Sequence, residues 1–426
     1  MKIVIVGGGF AGINMAKKLA DNEHTQVVLV DKNNYHFFPP LIYQVATSFI
    51  EASNISYPFR KLFQHKKNLR FHYGALLQVV QDENKIITTS GEVTYDKLVL
   101  ALGTETNYFG MQNVQKHAIP MKTINNALDL RNHLLQVLEK AALTNDKHEK
   151  EKLLNIVIAG GGPTGVELAG MMAYMGKHIV KKDYPDLPAA RRANIYLVDM
   201  LPVLLGPMSR KSQSEAYNVL DSMGVKVKLN SSVKDYVNDE VVFGDGTTIP
   251  TYSLIWASGV IACEAPGLPK ESIGKGRRIM VDAFNKVNGT TNIYAIGDVA
   301  LQTTDTAFPN GHPQLAQVAI QHGQLLAQNL AREQKGQPMK PFIYNDKGSM
   351  AIISKNKAVV DLSKNVFLKG FFAWLIWLFI HILPIAGFRN KLKLLNNWIW
   401  SFISNDPNLR LIIRPKNDWA AGTKQE

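Results

Sequence analysis

The feature that most restricts this chain is a duplication. An apolar run, Ile3–Val6, leads into Gly7-Gly8-Gly9-Phe10-Ala11-Gly12, and much later Ile156–Ala159 leads into Gly160-Gly161-Gly162-Pro163-Thr164-Gly165. Each block passes through β-rich sequence with a glycine turn, Ser90-Gly91 in one and Asp245-Gly246 in the other. Each closes on an apolar strand and a small-residue turn, Leu98–Gly103 and Leu254–Gly259, so that Gly7 to Gly103 spans 96 residues and Gly160 to Gly259 spans 99. A β-branched strand, a GxGxxG turn and a helical pattern together form a dinucleotide-binding unit. The glycines let a pyrophosphate approach the backbone amides at the helix N-terminus. Repeating that unit predicts an α/β fold with two Rossmann-like dinucleotide-binding domains in series.

The acids that follow the loops refine the reading. Asp31, at the end of the strand Val27–Val30 and 19 residues past Gly12, fits the acid that accepts a ribose hydroxyl, with Lys32 beside it. In the second block the matching acid is Asp199, 34 residues past Gly165, and the excess length is assigned to a loop over 181–192. An acid there favours a free 2′-hydroxyl and hence NADH over NADPH, although Arg191 and Arg192 could instead hold a 2′-phosphate. Two nucleotide sites in one chain suggest a flavin and a nicotinamide. The strand and turn Thr291–Asp298 support this, since Gly297 permits a tight turn and Asp298 can bond a ribityl hydroxyl.

At 426 residues the chain is long enough for two or three domains. Its single cysteine, Cys263, reads as an ordinary thiol and leaves no internal disulfide, CxxC redox pair or cysteine zinc site; no His, Asp and Glu cluster suggests another metal. Met1 runs straight into a strand, leaving no room for a signal peptide, so a cytoplasmic fold is expected. A helix is expected over 124–143, a solvated surface connection over 144–152, a helix near 313–332 and β-rich sequence over 341–362. The domain expectation is FAD binding over 1–120 and 285–335, NADH binding over 121–284, and a C-terminal membrane-associating region over 336–426.

Further motifs resemble the type II, non-proton-pumping NADH:quinone oxidoreductases, within the two-dinucleotide-domain flavoprotein superfamily. Asn34–Ala46 is similar to the family segment beside the flavin, and Gly162-Pro-Thr-Gly-Val-Glu-Leu-Ala-Gly170 to its NADH loop. Ala316-Gln-Val-Ala-Ile-Gln-His-Gly323 resembles its quinone-site AQxAxQxG motif, and Asp346–Met350 and Gly387–Asn390 its C-terminal signatures. Loops and resemblance together give expected FAD contacts at Gly7, Gly8, Gly9, Phe10, Ala11, Gly12, Asp31, Lys32, Gln44, Leu76, Gly103, Gly297, Asp298, Ala316 and Gln317. The expected NADH contacts are Gly160, Gly162, Pro163, Thr164, Gly165, Asp199, Ser258 and Gly259. The resemblance also implies that Gln317 and Gln321, one helical turn apart, line the quinone side. Glu167, read as lying in the first turn of its helix, is the catalytic candidate. Some relatives carry a lysine where this chain has Phe372, with Lys369 just before the preceding glycine. Disulfide reductases and sulfide:quinone oxidoreductases of this fold depend on more than one cysteine, which Cys263 alone cannot supply.

The end of the chain carries the expected location. Gly370–Phe388 is uncharged for 19 residues, and Arg389, Lys391 and Lys393 precede an aromatic amphipathic stretch, Leu394–Ile403. The whole chain has 48 Lys and Arg against 35 Asp and Glu, an excess of 13, of which nine fall after residue 333. That clustering favours an anionic lipid surface over nucleic acid, for which no motif is visible. The expectation is a peripheral, monotopic protein on the cytoplasmic face, with a membrane-spanning or buried helix as alternatives; the resemblance adds a homodimer. The activity expected is hydride transfer from NADH through FAD to a membrane quinone. A soluble FAD-dependent ferredoxin or rubredoxin reductase and an NADH-binding flavoprotein sensor are the alternatives.

Overall fold

The computed structural model describes residues 1–20, 22–187, 194–362, 366–404 and 409–413, so the reading of Arg191 and Arg192 lies outside the described residues. The elements that carry the argument are, in chain order, strands β1 (Lys2–Val6), β2 (Gln26–Asp31), β3 (Asn155–Ala159), β4 (Asn194–Val198), β5 (Ser349–Ser354), β6 (Lys357–Leu362) and β7 (Val366–Lys369). The helices are α1 (Phe10–Leu19), α2 (Ile42–Ala46), α3 (Pro163–Met175), α4 (Ala316–Glu333), α5 (Gly370–Ile382) and α6 (Phe388–Ser404). They divide between two compact units, one of residues 1–37, 56–105 and 260–347 and one of 38–55, 106–259 and 348–426. These cuts differ from the expected chain-order boundaries, because residues 38–55 and the C-terminal region both pack with the second nucleotide block.

In the first unit a five-stranded parallel sheet runs in the order Ile293–Ala295, Lys97–Leu100, β1, β2, Leu69–Tyr73. The four strand residues Ile3, Val4, Ile5 and Val6 are all buried, the apolar continuity a parallel strand needs when covered on both faces. A three-stranded antiparallel sheet, Leu76–Val80, Lys85–Thr88 and Gly91–Thr94, turns at Ser90-Gly91. The second unit repeats the plan: Ile119–Pro120, Ser253–Trp256, β3, β4 and Lys226–Lys228 in one parallel sheet, with antiparallel strands at 233–237, 240–243 and 248–250.

The second unit also carries an antiparallel meander, β5–β6–β7, laid against α3. Contact is backbone to backbone at Gly170, where a Cβ would lie 1.6 Å from the Ile353 carbonyl oxygen. The adjacent Ser354 hydroxyl donates to the Gly170 carbonyl at 3.3 Å. From β7 the chain enters α5, which buries Ala373 and Trp377, and then α6, which buries Leu394 and Trp398 and reaches residues 52–55 through Asn390 Nδ2–H donating to the Ser53 carbonyl.

Several expectations need correction. The 144–152 run is helical from Lys147 to Leu154, because Asp146 caps it by accepting from the His148 and Glu149 amides. The supposed loop after Lys181 begins as helix: α3 continues through a wider π turn at Gly176–Val180 to Asp183, which is where much of the extra length before Asp199 goes. The helix near Pro313 starts at Ala316, and the C-terminal strands start at Ser349 rather than near Pro341. The peripheral expectation for Gly370–Phe388 needs no such correction: its helix has 13 residues, at 1.5 Å each about 20 Å, short of a bilayer core of about 30 Å. Among the described residues no helix is long and apolar enough to cross a membrane.

Gly170→Ala should push β5 off α3. Overpacking against backbone costs on the order of 3 kcal/mol. We expect the thermal midpoint, followed by circular dichroism, to fall by at least about 5 °C.

Candidate functional site

The two glycine loops are built from the same atomic contacts. In the first, Gly7 adopts φ +108° and a Cβ there would lie 2.2 Å from the Ala101 carbonyl oxygen. The Gly7 carbonyl in turn occupies the space of a Gly12 Cβ, 1.8 Å away, so α1 can rest on the turn only through glycine. Gly8 lies against the Phe59 ring, and its amide donates to Asp31 Oδ2 at 2.6 Å, while Asp31 Oδ1 accepts from Asn33 at 2.7 Å. Burial raises the Asp31 pKa above the ordinary value, and the backbone donors and the charge of Lys32 oppose that.

In the second loop Gly160 adopts φ +116°, and its carbonyl fills the space of a Gly165 Cβ, again at 1.8 Å. Asp199 accepts from the Gly161 amide through Oδ2 and from the Leu201 amide, at 2.7 Å, through Oδ1. The two acids therefore hold equivalent places despite their unequal spacing in the sequence. The closing turns match too: Ala101 donates to the Val6 carbonyl and Ala257 to the Ala159 carbonyl, both at 2.8 Å, and Gly103 and Gly259 both have positive φ. Ser258 lies between Ala257 and Gly259, and a Gly259 Cβ would meet the Phe109 ring.

The helix starts show what these loops can hold. Elsewhere in the chain Thr123, Asp146 and Ser209 cap helices with their side chains. α1 and α3 instead begin at Gly9 and Gly162, with no side-chain acceptor and no acid in the first turn, and α3 has Pro163 and Thr164 at its start. A Cβ on Gly9 or Gly162 would meet nothing within 4 Å, so open space lies in front of amides and the positive end of each helix dipole. That arrangement fits a pyrophosphate at both loops.

The rest of the first unit completes one face of its site. Gly297, φ +74°, sits where a Cβ would meet Ala11 of α1 at 3.0 Å and Ala319 of α4 at 3.4 Å. Its amide donates to His322 Nδ1 at 3.1 Å, and burial lowers the His322 pKa to about 3, so a neutral imidazole fixes this turn. The Asp298 carbonyl accepts from Gln314 Nε2–H at 3.0 Å. Leu76 pairs with Thr88 and packs on the core, and the Gly103 carbonyl accepts from the Cys263 amide. On α4, Ala316 opens the helix without a side-chain cap. Gln321 makes two bonds to the Asn345 backbone, at 2.9 and 3.1 Å, and Gln317 accepts from the Lys347 amide at 3.3 Å, so both glutamines hold residues 345–347.

In the second unit Glu167 is the fifth residue of α3, which corrects its expected first-turn position by one turn. It is 8 % exposed, and burial raises its carboxyl well above the ordinary value, opposed by the bond from the Ile352 amide. Gln44 is equally buried and bonded to Tyr43 and Trp398. Lys369 pairs with Glu215 at 2.8 Å on the surface, and Phe372 is 74 % exposed, so neither is buried near Glu167. His322, Tyr43 and Trp398 were not singled out from the sequence. His322 and Tyr43 lie inside the quoted motifs, whereas Trp398 looks like any residue of an aromatic helix until the fold brings it to Gln44.

Residues 1–323 match the pyridine nucleotide-disulphide oxidoreductase family and residues 347–405 the NDH2 C-terminal domain. Fold and loops thus define a flavin- and pyridine-nucleotide-dependent oxidoreductase. The chain is 32 % identical over 418 residues to the type II NADH:quinone oxidoreductase Ndh of Mycobacterium tuberculosis, covering 95 % of this chain and 88 % of that protein. It is 27 % identical to the mitochondrial internal alternative NAD(P)H-ubiquinone oxidoreductase A1 of Arabidopsis thaliana, over 94 % of this chain and 84 % of the other. The structure of NDH2 from Plasmodium falciparum in complex with NADH shares the fold, with a TM-score of 0.87, 23 % identity and coverage of 97 % and 99 %. The chain belongs to the type II NADH:quinone oxidoreductases. FAD is the cofactor of this class and NADH its donor, in agreement with the two-nucleotide reading.

Gly9 and Gly162 separate the two loops experimentally, because alanine fits both backbones and fills only the open approach. Gly9→Ala should purify with its fold intact, by circular dichroism, and a several-fold lower flavin-to-protein absorbance ratio. Gly162→Ala should keep its flavin and show a KM for NADH raised by about tenfold, the loss of about 1.4 kcal/mol of binding.

Proposed function

We propose that this protein is a membrane-associated oxidoreductase that takes hydride from NADH, passes the electrons through FAD and reduces a membrane quinone without pumping protons. The observation that carries the reading is the pair of uncapped, glycine-fronted helix starts, each backed by an acid held on the loop amide, within a chain of this family. FAD would be held by the first loop, with Asp31, Gly297 and Asp298, and when bound supplies a two-electron acceptor able to pass electrons on to a quinone. NADH would be held by the second loop, with Asp199, Ser258 and Gly259. The α4 N-terminus, which opens at Ala316 without a side-chain cap, offers partial positive charge to a reduced flavin. Gln317 and Gln321 are assigned to the quinone side, where they also fix residues 345–347.

Hydride transfer requires close ring stacking and no protein acid. Glu167 is therefore assigned to positioning or proton handling, for which a carboxyl whose pKa burial raises is suited. Glu167→Gln should retain its bound flavin and slow NADH:quinone turnover by at least about tenfold; stopped-flow absorbance of the flavin on adding NADH, then a soluble quinone analogue, shows which half-reaction is affected. Wild-type turnover would remove Glu167 from the mechanism.

The attachment we propose is monotopic, on the cytoplasmic face and by way of anionic lipid. α5 and α6 expose Phe372, Phe379, Phe388 and Trp400, with Arg389, Lys391 and Lys393 at the start of α6, a combination suited to lying in the interface. The resemblance also implies a homodimer, which light scattering in detergent tests. Replacing Phe372 and Phe379 together by Ser should abolish co-flotation with phosphatidylglycerol vesicles while leaving NADH oxidation by a soluble quinone analogue intact. Raising salt from 0.05 to 0.5 M should weaken wild-type binding only in part, since it screens the charges and spares the aromatic contacts.

A further inference from the structure

The loop glycine Gly8 is held from three sides, and one of the groups that hold it is a side chain with no counterpart in the second loop. Its amide donates to Asp31 Oδ2 at 2.6 Å, its α-carbon lies against the Phe59 ring, and its carbonyl accepts from His36 Nδ1–H at 2.9 Å. His36 is 5 % exposed and lies on the strand Tyr35–Phe37, which pairs antiparallel with Ser56–Pro58. Its ring stands at 70° to that of Phe10, the first residue of α1, with centroids 5.8 Å apart. Burial lowers the His36 pKa to about 4, so the imidazole is neutral at neutral pH. A carbonyl oxygen can only accept, which places the single ring proton on Nδ1. In the second loop the equivalent carbonyl, that of Gly161, accepts instead from the Leu205 backbone amide, at 2.8 Å.

The peptide between Gly8 and Gly9 is trans, so its carbonyl and its N–H point in opposite directions within one plane. With the Gly8 carbonyl drawn to His36, the Gly9 amide faces the other way. That amide donates to no group among the described residues, and a Cβ on Gly9 would meet nothing within 4 Å. We propose that His36 is a positioning residue for the FAD pyrophosphate: it fixes the plane of the Gly8–Gly9 peptide so that the Gly9 amide is presented to a phosphate oxygen. The inference rests on the assignment of FAD to the first loop.

The other contacts of the loop leave this plane without a hold. The bond from the Gly8 amide to Asp31 fixes the preceding peptide, between Gly7 and Gly8, whose carbonyl already stands against Gly12. The peptide in question joins two glycines, which have no Cβ to resist its rotation. A buried carbonyl without a donor is unfavourable, so without the imidazole the plane should turn to find one and carry the Gly9 amide with it. In the second loop Leu205 supplies the same hold from the backbone, beyond the reach of a side-chain substitution. Only the first loop rests this task on a side chain that can be exchanged.

The test uses the full-length, FAD-loaded protein. Release of FAD on dilution is followed by the rise in flavin fluorescence for His36→Leu, His36→Asn and His36→Gln, with circular dichroism as a check on folding. Asparagine carries an N–H near the place of Nδ1, glutamine one near that of Nε2, and leucine has neither. We expect His36→Leu and His36→Gln to raise the FAD dissociation constant by about tenfold and His36→Asn to stay within about threefold of wild type. The absorbance maxima of the flavin that remains bound should not move, because the hold acts at the phosphates and not at the ring. If His36→Leu does not fold, the asparagine and glutamine variants decide the matter between them. Equal FAD affinity in those two, wild-type affinity in His36→Leu, or a shifted flavin spectrum would each overturn the proposal. The assignment beneath it fails in a different way: Gly9→Ala that keeps its FAD and loses affinity for NADH would take FAD off the first loop, and this inference with it. Loss of FAD in Gly9→Ala alongside unaltered His36 variants would overturn the role of His36 alone.

Discussion

Everything in this protein depends on one tight contact made twice: the carbonyl of the first loop glycine, Gly7 or Gly160, stands where a side chain on the last, Gly12 or Gly165, would have to be. Because the helix rests on the turn at that distance, its first amides are presented at the strand end with nothing in front of them. The acid on the neighbouring strand then bonds the middle glycine amide and fixes the loop from below. A methyl group at Gly12 or Gly165 would separate helix from turn, and one at Gly7 or Gly160 would push the turn off the carbonyl of Ala101 or Ala257, so the loop would be lost before any ligand contact was altered.

The second unit adds to this scaffold what the first lacks. Its α3 is flanked by α2 and by the β5–β6–β7 meander, which bury Glu167 and shift its carboxyl from the ordinary range. The same meander leads into α5 and α6, whose outer faces expose large aromatic residues. One stretch of chain therefore has two different sides: its inner side surrounds a titratable group, and its outer side exposes large aromatic side chains. In the first unit, α4 reaches back from its own start to hold Gly297 through His322 and residues 345–347 through Gln317 and Gln321.

Much of the fold was legible because its signals are local. The strand–glycine–helix blocks, the closing strands and the helix over 124–143 follow from short-range steric and periodic rules, and the structure has them where the residues put them. Reading failed where a local pattern had two physical outcomes. The charged run after Thr144 looks like a loop, but Asp146 caps a helix through it. The stretch before Asp199 seemed too long for its motif because the continuation of α3 through a π turn leaves no mark in hydrophobic spacing. The uncharged run from Gly370 is, by contrast, a place where the reading agrees with the structure: it is long enough in sequence to span a bilayer, yet the expectation is a peripheral segment, and its helix ends after 13 residues.

The sequence by itself determined the fold class, the two nucleotide loops and the family, since glycine positions, strand composition and motif spacing are properties of neighbouring residues. Only the tertiary structure decided what surrounds Glu167, that Asp31 and Asp199 hold equivalent places, and that Trp398 bonds Gln44 across 354 residues of chain. Burial, a shifted pKa and the direction of a hydrogen bond come from groups that the fold brings together, and no local pattern encodes them.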